Sequence, residues 1–124
     1  MGLVELRHQL LTLHRALLDA ARIAFEREHG RVSAGAFLGQ VISAPELAWL
    51  QPLTALVVAL DEALETPEAD SAPELAAIRE LLLPRPDGSE FERHYAAALQ
   101  AAPEVVLAHA AVMRALDQAA KRAP

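Results

Sequence analysis

Proton chemistry near neutral pH starts with histidine, and the chain carries five of them. His109 stands apart. It lies in Val105-Val106-Leu107-Ala108-His109-Ala110-Ala111-Val112-Met113, a stretch without a charge, and its helical phase is that of the apolar residues Val106, Val112, Met113 and Leu116. A buried imidazole needs a hydrogen-bond partner, and none is near in sequence. Two readings follow. As a core histidine bonded to a carbonyl or a carboxylate it is structural, and without an acidic partner its pKa is lowered by desolvation. As an acid–base residue it sits against a carboxylate, Asp61 or Glu62, and its pKa is raised. In either case the ring is expected to face the Leu47–Leu64 segment.

Other groups qualify by type and position. His14 borders the apolar face of the first helical stretch, and His94 borders that of a later one beside Tyr95, whose hydroxyl falls near the core. Trp49, the single Trp, stands just before Pro52. Together His109, Trp49, Tyr95, His14, His94, Asp61 and Glu62 form the candidate ligand-binding set, with haem or metal bound by His109 and His14 or His94 as its sharpest version. Glu5-Leu6-Arg7-His8 and Glu26-Arg27-Glu28-His29 match the Glu-x-x-His of carboxylate metal bundles. Both fall on one helix and on its polar stripes, so exposed ion pairing is the better reading. No nucleophile elbow, phosphate loop or dinucleotide-binding glycine pattern occurs. No catalytic residue, metal ligand or cofactor is therefore assigned.

The elements that must position these groups read as helices. The 124 residues suit a single domain, 1–124. Ala and Leu dominate, aromatic residues make up 4% and Cys is absent, which favours helix packed on helix and rules out thiolate chemistry. A net charge of −6 argues against nucleic acid as a partner. The start, MGLVELRHQ, reads as neither a secretory signal nor a myristoylation site.

Glu46–Glu65 reads as the organising element, a helix apolar on nearly every side and kinked or restarted at Pro52. Its uncharged run, Leu47–Leu60, falls short of the roughly 20 residues of a membrane span. Leu3–His29 reads as a long amphipathic helix with Leu3, Leu6, Leu10, Leu13, Leu17, Ala20 and Ala24 inward, widened by Val4, Leu11, Leu18 and Phe25, and stopped at Gly30. Ser33 opens a short helix over 34–42. Ser-Ala-Pro-Glu-Leu-Ala at 43–48 and again at 71–76, Ala-Pro-Glu at 102–104 and Thr-Pro-Glu at 66–68 read as one helix-start device used several times. Helices are expected over 73–83, from a Ser89–Glu92 capping box to about Ala101, and from Ala102-Pro103-Glu104 to about Lys121; the apolar period running through 102 allows the last two to be one kinked helix.

Ala48-Trp49-Leu50-Gln51-Pro52-Leu53, followed by Asp61-Glu62, resembles a pattern in small all-helical bacterial proteins known only as hypothetical proteins. Gly30-Arg31-Val32-Ser33 and Val105–Ala110 fit the same likeness, whereas Gln51 stands where that pattern has Arg. The resemblance implies a compact helical fold and carries no activity.

The expectation is thus an all-α bundle of four principal helices with one short accessory helix. The expected role is that of a non-catalytic cytoplasmic module that associates with itself, as a homodimer, or with another protein, away from membranes. The Ala-rich, weakly charged helices are the reason, with Phe91–Leu116 as contact face. The alternatives are a small-ligand, haem or metal bundle centred on His109, and an enzyme pairing His109 with a carboxylate.

Overall fold

The computed structural model describes residues 2–31, 33, 35–37, 39, 45–66, 68, 70–83 and 85–122. Those residues form helices and connecting turns, with no strand among them. In chain order they are α1 (Gly2–His29), a 3-10 turn (Pro45–Leu50), α2 (Gln51–Leu64), α3 (Ala72–Leu81), α4 (Glu90–Ala101) and α5 (Pro103–Arg122). The all-helical reading of the sequence holds. Of the helix expected over 34–42, Gly35, Ala36, Phe37 and Gly39 are helical, and the Ser33 hydroxyl accepts the Ala36 N–H at 3.1 Å. Ala34, Leu38 and residues 40–42 lie outside the described residues.

α1 buries Leu6, Leu10, Leu13, Leu17 and Ala21, spaced by three and four. It ends where expected: Gly30 takes φ +82°, and its N–H reaches back to the Glu26 carbonyl at 2.9 Å. The apolar face is narrower than the sequence suggested. Val4 and Leu11, expected to widen it, are exposed, as is Ala24.

The most extensive packing is α1 against α5, not against α2. The two run antiparallel. At one end a Cβ on Gly2 would lie 2.9 Å from the Ala119 Cα, so Gly2 permits a close backbone approach; at the other, Ala20 and Ile23 share a cavity wall with Ala102 and Glu104. The expected central helix is therefore corrected. Leu47–Leu64 is long and apolar enough by length and composition to cross a membrane, as is the bent α4–α5 pair taken together. Yet the segment is divided: Pro52 lies in the first turn of α2, where its missing N–H costs nothing, so it restarts the helix rather than kinking it. Leu47, Trp49, Leu50, Leu53 and Leu60 are buried, while Pro52, Ala55 and Val58 remain exposed. Apolarity counts side chains; it does not count the neighbours available to cover them.

The start devices act unequally. Pro73 lies in the first turn of α3 and Pro103 begins α5, whereas Thr66 and Glu68 lie in no helix. Ser89 and Glu92 form the expected capping box: the Ser89 hydroxyl accepts the Glu92 N–H at 3.2 Å, and the Glu92 carboxylate accepts the Ser89 N–H at 2.8 Å. Those bonds, led by the backbone one, hold the Glu92 carboxyl below the usual carboxylate range.

α4 and α5 are two helices. Ala102, next to Pro103, is extended at φ −127° and ψ 106°, as a residue before proline prefers, and the axes differ by 115°. The break resets the helical phase. The inward residues of α5 are Val105, Ala108, Val112, Ala115, Leu116 and Ala119, and Val106, expected inward, is exposed.

Candidate functional site

The candidate residues sort into three places. Asp61 forms a charge-assisted hydrogen bond with Arg7 of α1, and Glu62 is exposed. Neither carboxylate reaches His109. His14 of α1 meets α2, its Nε2 lying 3.0 Å from the Thr54 hydroxyl. That hydroxyl itself donates to the Leu50 carbonyl at 3.3 Å, so the imidazole donates Nε2–H to it. Burial pushes the His14 pKa down.

The remaining four come together through rings. His94 lies flat on Trp49, with centroids 4.7 Å apart and planes 10° apart. Trp49 contacts Phe91 at 6.0 Å, Phe91 stacks on Tyr95 at 5.4 Å, and Tyr95 contacts His109 at 5.6 Å. The sequence named every member of this series except Phe91, which read as an ordinary core residue of α4. Tyr95 is fully buried, and its hydroxyl lies 2.5 Å from His109 Nδ1. Burial raises the Tyr95 pKa far above its ordinary value and lowers that of His109. The phenol is therefore neutral, and its buried O–H has no other acceptor among the described residues, so Tyr95 donates, Nδ1 accepts, and His109 carries its own proton on Nε2.

His109 thus faces α4 rather than α2. The expected direction fails because the side of α5 that carries His109 meets Tyr95 of α4; the phase count through Ala102 also put the exposed Val106 inward, although Val112 and Leu116 are buried as expected. The His109 pKa lies on the side expected when no carboxylate is adjacent. An acid–base pair of His109 with Asp61 or Glu62 has no geometric support, since Arg7 holds Asp61 and Tyr95 holds His109.

Where Trp49 and His94 meet the corner between α4 and α5, a groove of about 570 Å³ opens. One wall is α1, through Ala20, Ala21, Ile23, Ala24 and Phe25. The opposite wall is the corner itself, through Ala97, Ala98, Ala101, Ala102 and Pro103, with Leu47, Trp49 and His94 closing the end. Alanine makes the groove: two helices that meet through methyl groups leave space where leucines would fill it. Arg27, Glu28 and Glu104 stand at its rim. Among the candidate residues Trp49 and His94 line it; Tyr95, His109, His14, Asp61 and Glu62 do not. The lining alanines and the rim charges escaped sequence reading, although the clustering Ala20-Ala21, Ala24 and Ala96-Ala97-Ala98 was its visible trace.

Among the described residues no group of three His, Asp or Glu side chains is gathered as metal ligands, and no buried side-chain polar atom lacks a hydrogen-bond partner. A haem held by His109 with His14 or His94 finds two of these imidazoles already bonded to hydroxyls and only His94 at the groove. Comparison with protein-family models, with curated proteins and with solved structures gave no match. The resemblance expected from Ala48–Leu53 thus gains no support from these comparisons.

Proposed function

We propose that the chain is a non-catalytic binding module, a bundle whose principal helices are α1, α2, α4 and α5, and that it takes a flat, apolar small molecule in the groove between α1 and the α4–α5 corner. One observation carries this reading: a cavity of about 570 Å³, within the range of small-molecule sites, walled by alanines and closed by the stacked Trp49–His94 pair. Such a plate favours a flat ring, and the alanines set the width. The chemistry that catalysis would need points elsewhere, because His109 and His14 are committed to Tyr95 and Thr54.

The test uses Nile red, a neutral dye whose emission shifts blue in apolar surroundings. Ala24→Leu and Ala101→Leu each place a larger side chain in the groove from an exposed helical position, so neither disturbs the core. Binding to the wild type and a loss of tenfold or more in both variants, with unchanged melting, is the expected result. Binding that ignores both substitutions, or no binding at all, would remove the groove as the site.

Self-association is the second reading, favoured by the exposed Pro52, Ala55 and Val58 on α2, within a run that carries no charge from Leu47 to Leu60. Two such faces meet without opposing like charges even though each chain carries −6. Light scattering giving twice the chain's 13.4 kDa, reverting to one chain in Val58→Lys, supports it; a single-chain mass in the wild type refutes it.

A further inference from the structure

We propose that the groove selects an aromatic cation, a flat ring system bearing a protonated amine; this rests on the groove being the binding site. The charges around it are unbalanced. Glu28 and Glu104 stand at the rim with Arg27. The adjoining cavity, of about 390 Å³, shares Ala20, Ile23, Ala102 and Glu104 with the groove and adds Asp19, Glu26 and Arg22. Four carboxylates therefore face two guanidiniums. Arg22 and Glu26 offset one another at 3.8 Å, which leaves Asp19, Glu28 and Glu104 against Arg27.

Two local features oppose a cation, and both are outweighed. The first turn of α5 points its positive end towards the groove, but a helix terminus amounts to about half a unit charge. Glu104, in that same turn, supplies a full negative charge and reverses the sign. Arg27 forms no ion pair among the described residues and attracts an anion. It neighbours Glu28 in sequence, however, and Asp19, Glu26 and Glu104 surround the same Ile23 wall. The chain's overall charge of −6 adds to the preference at long range. The apolar interior then takes the ring while the amine stays at the wet rim, the ordinary division of labour for an amphiphilic ligand.

The experiment compares three probes with one aromatic body: naphthylmethylamine, naphthalenemethanol and naphthoate. The readout is the indole N–H resonance of Trp49, the single Trp, followed by NMR titration. At low salt the amine is expected to bind about fivefold tighter than the alcohol and the carboxylate weakest, the spread closing at about 0.5 M salt. Glu104→Gln, an exposed position, should reduce the amine's advantage over the alcohol. If the alcohol binds and the amine binds no better, or the carboxylate binds best, the charge inference is overturned while the groove reading stands. An amine advantage that survives Glu104→Gln and high salt also overturns it. If none of the three moves the Trp49 resonance, the groove reading falls and takes this inference with it.

Discussion

Replacing Tyr95 with Phe tests the reading of His109 at its strongest point. Tyr95 is fully buried, so its hydroxyl has given up water for one partner, Nδ1 of His109. A neutral intramolecular hydrogen bond contributes about 0.5–1.5 kcal/mol net, and an orphaned buried partner costs about 1–3 kcal/mol. Which figure applies depends on the group left behind. His109 is only half-buried, so water can reach Nδ1 once the hydroxyl is gone. The smaller figure therefore governs, and Tyr95→Phe should lose about 1 kcal/mol, or roughly 3–6 °C in melting temperature for a chain of this size. The ring stays in place, so the stack on Phe91 is kept.

Urea unfolding at pH 7.5, where His109 is neutral, measures the cost. A double-mutant cycle with His109→Ala isolates the bond, and a coupling energy of about 1 kcal/mol is expected. A coupling indistinguishable from zero would show that the contact contributes nothing. A loss above about 3 kcal/mol would mean that His109 is sealed from water, contrary to its half-burial.

Acid should destabilise the fold in a window belonging to histidine. The pKa values of His14 and His109 are both lowered by burial, so the unfolded chain binds protons before the folded one does. The stability they contribute is present above about pH 6.5 and is lost as pH falls towards the folded values, and His14→Gln with His109→Gln should flatten unfolding free energy between about pH 7.5 and 5.5. Ser89→Ala should cost about 1 kcal/mol by thermal melting, since it removes half of the capping box. Gly88→Ala should cost a similar amount for a different reason: its Cβ would lie 2.3 Å from the Glu92 carboxylate oxygen and displace the acceptor of the Ser89 N–H. Arg7→Ala should change stability by less than about 1 kcal/mol, because both partners of the Arg7–Asp61 pair are over two-fifths exposed; a larger loss in urea titration would refute that surface reading.

Local physics was legible in the sequence, and relations between helices were not. Leu6, Leu10, Leu13 and Leu17, the stop at Gly30 and the Ser89–Glu92 box each depend on residues within a few positions of one another, and each lies where the pattern placed it. The rank of the helices was misjudged because the apolar run Leu47–Leu60 says nothing about what covers it, and α5, with more charge, proved the main partner of α1. Trp49, Tyr95, His94 and His109 were legible as residues of interest. Their order through Phe91 was not, since it depends on three separate elements meeting. The groove was least legible, because it is an absence of side-chain volume at a corner whose angle no periodicity encodes.

That corner raises a last question: whether proline or packing holds it. Pro103 dictates where the helix breaks, since the residue before it avoids helical backbone and Ala102 is extended. The apolar period would otherwise continue through 102, so a straight helix is latent in the sequence. Straightening would recover two or three backbone hydrogen bonds, about 2–3 kcal/mol. It would also withdraw α5 from α1, exposing Val105, Val112 and Leu116, each completely buried, at about 1.5–3 kcal/mol apiece. It would further break the Tyr95–His109 bond, which spans the corner from seven residues before Ala102 to seven after it. Packing therefore outweighs continuity by several kcal/mol. Pro103→Ala should melt lower by about 0.4–1 kcal/mol, the stiffness that proline takes from the unfolded chain. It should nevertheless keep the 115° corner, the groove and its dye binding. Loss of the contact between Gly2 and Ala119, read by NMR, together with loss of dye binding, would show instead that the proline alone keeps α5 folded back on α1.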